Sequence, residues 1–127
     1  RFLRDKGITP VFLGATAEKD TIKNIITLCS GAIDLSEQTS FADIATLARG
    51  AVCTIGNDTG PMHIIAVTGC PTITLFSEHS DPKLTAPRGP NARFLQEEDL
   101  TDLSEKDVIS LLEELVDLDR VAKRAKQ

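Results

Sequence analysis

The sequence has no tryptophan, no tyrosine and only five phenylalanines in 127 residues. So few rings argue against a platform on which single-stranded nucleic acid stacks its bases. Bases are in the minority too: 14 Lys and Arg stand against 19 Asp and Glu, a net charge of −5. No basic face gathers before residue 120, so the electrostatic footprint of a nucleic-acid binder is missing. No apolar run approaches the roughly 20 residues of a membrane span. The opening "RFLRDKG" does not have the form of a signal peptide. Cys29, Cys53 and Cys70 are odd in number, lie in apolar contexts and show no zinc-ligand spacing. They read as buried, reduced thiols of a cytosolic protein. The two histidines make a poor metal site as well, and no metal is expected.

What is present alternates, in a chain long enough for about one domain with a real core. "ITPVFLG" (8–14) reads as a strand closed by Gly14. Residues 17–29 carry Ile22, Ile25, Ile26 and Cys29 at the spacing of an amphipathic helix. "AIDL" (32–35) is a short strand. A helix over 40–50 starts with Ser40 as N-cap, places Phe41, Ile44 and Ala48 on one face, and ends at Gly50. "AVCTI" (51–55) reads as a strand buried on both faces. A short helix "MHIIAVTG" ends at Gly69, and "PTITLF" (71–76) is another buried strand. Residues 77–93 are polar, hold three of the six prolines and read as a long functional loop. A last strand is expected over 93–96. A helix over 104–118 has Val108, Leu111, Leu112, Leu115 and Val116 on its core face.

This order predicts an α/β fold: a Rossmann-like parallel sheet with helices on both faces. The opening "RFLRDKG" reads as the last turn of a helix and its glycine stop. A doubly wound domain should begin with a strand. The chain is therefore expected to be a single domain, 1–127, without its first strand and without a domain that precedes it. At the other end, residues 97–119 hold ten acids, while 120–127 hold four bases and no acid. That tail could be drawn to an anionic surface, but a solvated helix end complementing its own dipole is the simpler reading.

The densest chemistry is "GNDTGPMHIIAVTGCP" (56–71). It sits between a strand and a helix, with Gly60 as N-cap and Pro61 at the first helical position. Such a corner lies at the carboxyl end of a parallel strand, where open α/β sheets bind ligands. Helix N-termini offer free N–H groups and a partial positive charge to phosphate. Gly60 lets the backbone come close, Thr59 adds a hydroxyl, and His63 can donate to a phosphate oxygen. Asp58 would repel phosphate and needs another partner, such as a sugar hydroxyl. A diphosphate joined to a sugar accounts for all three polar side chains. Asp58 and Thr59 could instead cap their own loop. The triplet Asp-Thr-Gly also occurs in aspartic proteases, but those are nearly all β, whereas here Pro61 and a helix follow at once.

As a string, Asp58-Thr59-Gly60-Pro61-Met62-His63-Ile64, then Gly69-Cys70-Pro71 and a β-run to Phe76, resembles glycosyltransferase family 9. These are the ADP-heptose:lipopolysaccharide heptosyltransferases and their relatives. "LSEQTSFADIATLARGAVCTIGNDTG" upstream is similar to the same pattern. The resemblance runs over roughly 8–118 and implies the C-terminal half of a GT-B fold, the donor-binding domain of an enzyme. On this resemblance Asp58 and His63 are the catalytic candidates, Asp58 contacting the sugar or organising the loop. Thr59, Gly60 and Met62 belong to the substrate-binding set, Thr59 and Gly60 on the diphosphate. Glu18 would bind the ribose, and a first-turn helix acid is its alternative role; Thr39 and Ser40 fall at the adenine edge. Where relatives often carry Gly-Pro after the Phe76 position, Ser77-Glu78 stands here.

The implied partners are an ADP-heptose-like nucleoside-diphosphate sugar and a lipid-linked saccharide acceptor held by the other domain. No nucleic acid, transmembrane segment, metal or cofactor is implied. The implied location is cytoplasmic, with scope for peripheral work at the inner face of the cytoplasmic membrane. The alternative is a non-catalytic, regulatory nucleotide-binding Rossmann domain using the same corner. The chain alone is expected to be inactive without the acceptor domain.

Overall fold

The structure is a computed structural model and describes residues 2–79 and 81–125. These fall into two compact units. One is the chain up to Ser40 together with the stretch from Leu118 onward; the other is Phe41–Asp117.

The first unit opens with helix α1 (Phe2–Asp5). Gly7, at φ 80°, ends it. The Gly7 N–H donates to the Arg4 carbonyl at 2.9 Å and the Ile8 N–H to the Leu3 carbonyl at 2.9 Å, a Schellman stop. Strands β1 (Val11–Phe12) and β2 (Ile33–Asp34) pair in parallel, Val11 opposite Ile33. The expected strand over 8–14 is thus much shorter, because Pro10 cannot donate to a ladder and β1 has one neighbour. Between them a 3-10 turn (Thr16–Glu18) leads into α2 (Lys19–Leu28). Ile22 is buried and Ile26 half-buried, but Ile25 is exposed. Helix α7 (Leu118–Ala125) returns to this unit with Leu118 buried, and Lys6 Nζ bonds Asp119 Oδ1 at 2.9 Å. Arg120, Lys123 and Arg124 of the tail sit on this separate helix, Arg120 in its first turn; residues 126 and 127 lie outside the described ones.

The second unit holds α3 (Phe41–Gly50), β3 (Thr54–Asn57), α4 (Gly60–Val67), β4 (Thr72–Phe76), α5 (Pro82–Thr85), β5 (Ala92–Gln96) and α6 (Glu105–Leu115). Its three strands are all parallel, in the order β3-β4-β5. The central strand β4 is almost wholly buried, with Ile73 and Phe76 at its heart. Phe76 meets Phe94 edge to face at 5.8 Å between ring centroids. Ile44 and Ala48 of α3 are buried as expected, whereas Phe41 is exposed.

Three further expectations shift. The strand over 51–55 is displaced to Thr54–Asn57, at the side of its sheet, and Ile55 is exposed rather than buried on both faces. The stretch 77–93 contains α5, whose N-cap Asp81 accepts the Lys83 N–H at 2.9 Å. Asn91 Nδ2 also ties it to the Gly69 carbonyl at 2.9 Å. The helix over 104–118 ends at Leu115, because Val116 is extended and separates α6 from α7.

Candidate functional site

The β3–α4 corner consists of two residues, Asp58 and Thr59. The expected N-cap at Gly60 moves back by one: Thr59, with φ −139° and ψ 160°, holds that position and Gly60 is the first helical residue. Pro61 keeps its place in the first turn, where its missing N–H costs nothing. Met62 N–H donates to the Thr59 carbonyl at 3.2 Å. Gly69 at φ 88° stops the helix as expected.

The polar groups of this corner are uncommitted. The Thr59 hydroxyl makes no capping bond, although the N-cap position invites one. Asp58, half-buried, and His63, exposed, have no side-chain hydrogen bond or ion pair among the described residues. The chain does cap elsewhere: Asp81, Asp99 and Ser104 accept the N–H groups of Lys83, Thr101 and Asp107 at 2.9, 2.9 and 3.2 Å. Asp58 and Thr59 therefore differ from the residues this chain uses as caps. Asn57 ends β3 exposed, and its side chain has no hydrogen bond among the described residues. Its signal was its place at a strand's carboxyl end.

Two glycines shape the corner for different reasons. A Cβ on Gly56 would come within 2.8 Å of Met62 Sδ, so a side chain there would force the buried Met62 to shift. Met62 is buried, which makes it a core residue under the corner rather than one on its open side. Gly60 has no such constraint: a Cβ there would meet nothing within 4 Å, and its backbone is not left-handed. Nothing inside the chain demands glycine at 60. Bare backbone there leaves room for a group from outside.

In the other unit, the loops leaving β1 and β2 meet at one carboxyl edge. The Glu37 N–H donates to the Gly14 carbonyl at 2.8 Å, and Lys19 Nζ lies 3.4 Å from Glu37 Oε2. The Thr16 hydroxyl, first, and then Lys19 hold the Glu37 carboxyl below its ordinary range. Glu37 itself has a left-handed backbone, φ 63°. Glu18 lies on the first of these loops, and its Oε2 accepts the Ala15 N–H at 2.9 Å. That bond is the first-turn role anticipated as an alternative; Oε1 remains open. Thr39, half-buried, and Ser40, exposed, lie on the second loop. Asp58, Thr59, Gly60, Met62 and His63 thus gather in one unit, and Glu18, Thr39 and Ser40 in the other.

The model of glycosyltransferase family 9 (heptosyltransferase) matches residues 1–114. The chain belongs to glycosyltransferase family 9. Two solved structures share its fold. The glycosyltransferase of family 9 from Veillonella parvula DSM 2008 aligns with a TM-score of 0.77 at 22% identity. ADP-heptose LPS heptosyltransferase II of E. coli aligns with a TM-score of 0.80, also at 22% identity. Each alignment covers 90% of this chain but 38% of the solved one, so the chain spans under two fifths of these family 9 structures. No curated protein matches it. Among the described residues of this family 9 chain, no helix is long and apolar enough to cross a membrane. All three cysteines are free thiols: Cys70 is buried, Cys29 and Cys53 half-buried.

Proposed function

We propose that this chain is the donor-binding domain, the C-terminal half of the GT-B fold, of a family 9 glycosyltransferase. It moves a heptose or related sugar from a nucleoside-diphosphate sugar to an acceptor of the lipopolysaccharide-core type. The observation that carries this reading is the β3–α4 corner: a carboxylate, a hydroxyl, an imidazole and a bare glycine, none of whose side chains has a partner among the described residues. The diphosphate lies on the α4 N-terminus, with the Gly60 backbone, the Thr59 hydroxyl and His63 donating to its oxygens. Asp58 accepts from sugar hydroxyls or organises the loop. Glu18, through its open oxygen, accepts from the ribose, and Thr39 and Ser40 border the base.

In this reading the acceptor hydroxyl, deprotonated by a base on the preceding domain, attacks the anomeric carbon. The bond to the diphosphate oxygen breaks, and the helix end and its side chains stabilise the leaving charge. The enzyme works in the cytoplasm, at the inner face of the membrane that holds its acceptor. Thermal unfolding of the full-length protein with ADP-, UDP- and GDP-sugars tests the reading. A donor at about 100 times its Kd stabilises by about 2.7 kcal/mol, a rise of several degrees. Stabilisation by none of them would overturn the assignment.

A further inference from the structure

The two loops at the carboxyl edge of the first unit are tied together by one strained residue. Leu35–Gln38 is a turn, closed by the Gln38 N–H on the Leu35 carbonyl at 3.1 Å. Glu37 is its third residue, at φ 63°, and is the one non-glycine residue with a positive φ among the described residues. A turn of this kind favours glycine or asparagine there, because a Cβ crowds the backbone. The residues ahead of Glu37 are fixed as well: Asp34 Oδ1 accepts the Ser36 N–H at 2.8 Å and also the Ser36 hydroxyl.

Folding alone does not explain a side chain at this position. The Glu37 N–H bond to the Gly14 carbonyl would survive in a glycine. The ion pair with Lys19, 3.4 Å long between side chains 48% and 35% exposed, adds little stability. Strained residues that persist without such a return gather at functional sites.

The Glu37 carboxylate reaches across to the other loop. It takes the Thr16 hydroxyl and pairs with Lys19 Nζ, residues that bracket Glu18 in the chain. Glu18 is packed on the same loop: its Oε2 accepts the Ala15 N–H at 2.9 Å, and a Cβ on Gly14 would come within 3.2 Å of Glu18 Cβ. Gly14 thus lies against Glu18 while its carbonyl takes the Glu37 N–H. Thr39 and Ser40 follow Glu37 on its own loop.

We propose that Glu37 is a positioning residue of the nucleoside subsite: its grip on Thr16 and Lys19 holds Glu18 in place beside the loop of Thr39 and Ser40, so that Glu18 can read the ribose. The inference rests on the donor-binding reading above, and Glu37 itself touches no ligand in it. A carboxylate can accept from both hydroxyls of a ribose. It tells ribose from deoxyribose best when its own position is set before the ligand arrives, since ordering it later lowers affinity.

Calorimetry on the full-length enzyme with ADP, UDP and GDP selects the nucleoside diphosphate that wild type binds best. That probe is then compared with its 2′-deoxy counterpart. Wild type should prefer the ribose form about tenfold, the worth of one hydrogen bond to a charged group. Glu37→Gly keeps the backbone bond and removes the strain, so its unfolding temperature should hold or rise. Its affinity for the ribose form should fall about fivefold, while the deoxy form stays within about twofold. Glu37→Gln, which can keep the Thr16 bond, should fall between. An unchanged preference for ribose in Glu37→Gly, or a loss that comes with a lower unfolding temperature, would overturn the positioning role while the donor site stands. Wild type that binds both forms alike would take Glu18 off the ribose and this inference with it. Wild type that binds neither would overturn the donor site itself.

Discussion

Met62 Sδ lies 2.8 Å from the point where Gly56 would carry a Cβ, so the first turn of α4 is seated directly on the last turn-facing stretch of β3. The contact fixes the height of the helix N-terminus above the strand that leads into Asp58. Met62→Ala would open a cavity at a buried position and should cost about 2–5 kcal/mol. Gly56→Ala overpacks the same contact and should cost about 1–3 kcal/mol. Thermal or urea unfolding measures both. Two variants with wild-type stability would show that the helix is not seated there.

Gly89 plays a comparable part at the other end of α4. A Cβ on Gly89 would overlap the Ala66 carbonyl, which is backbone and cannot swing aside. Gly89→Ala should therefore destabilise by at least about 1–3 kcal/mol. Gly50→Ala is the control: its Cβ would meet nothing within 4 Å and the residue is helical, so stability should hold or rise. Equal unfolding temperatures for the two variants would refute the packing argument.

Much of this was legible beforehand, for physical reasons. The buried pattern Thr72–Phe76 and the glycine stops at Gly7 and Gly69 depend on local periodicity and backbone sterics, and they stand where the sequence placed them. What failed depends on neighbours. "AVCTI" has the composition of a central strand, yet β3 lies at the side of its sheet and its ladder runs to Asn57. Which side chains a strand buries is decided by its partners, not by its own propensities. The same holds for Phe41, apolar in pattern and exposed in fact. In the corner, Asp58, Thr59 and His63 were visible as chemistry. That Met62 belongs to the core and that Gly60 is free of internal constraint needed the three-dimensional contacts.

Burial, with neighbouring Cys70 second, pushes the Cys53 thiol up from 9.0 to about 11. A raised folded-state value favours the protonated form in the native protein. Its contribution is fully present below pH 9.0 and is lost as pH rises toward 11, where the unfolded chain ionises first. The loss is at most about 3 kcal/mol and is smaller to the extent that water reaches the sulfur. Unfolding midpoints between neutral pH and pH 11 should fall more steeply for wild type than for Cys53→Ser. Parallel curves would show that this thiol is not the group responsible.

Gly60 allows function to be separated from folding. Because a Cβ there meets nothing, Gly60→Ala should keep or slightly raise stability, by up to about 1 kcal/mol. If the proposed donor site is right, donor affinity should still drop, since the methyl group would stand where that reading puts the phosphate, and Gly60→Val should drop it further. Calorimetry with the preferred nucleoside diphosphate, alongside thermal unfolding, reads both quantities. Wild-type affinity in Gly60→Val would mean that the anion does not approach at this point.

Asp58 separates a sugar site from a plain phosphate site. A carboxylate beside a diphosphate raises the cost of binding it unless the same carboxylate is engaged elsewhere on the donor or in the loop. The chain provides Asp58 with no partner of its own among the described residues, and on the proposed donor-binding reading the compensating group is a sugar hydroxyl. Asp58→Ala in the full-length enzyme should therefore lower turnover at least as much as donor affinity, because sugar contacts tighten as the anomeric carbon gains charge. The bare diphosphate should bind the variant as well as wild type or better, since a repulsion has been removed. Steady-state kinetics and calorimetry on the same preparation test this pair. Unaltered kinetics, or a matched loss of affinity for the diphosphate alone, would take Asp58 out of the sugar site.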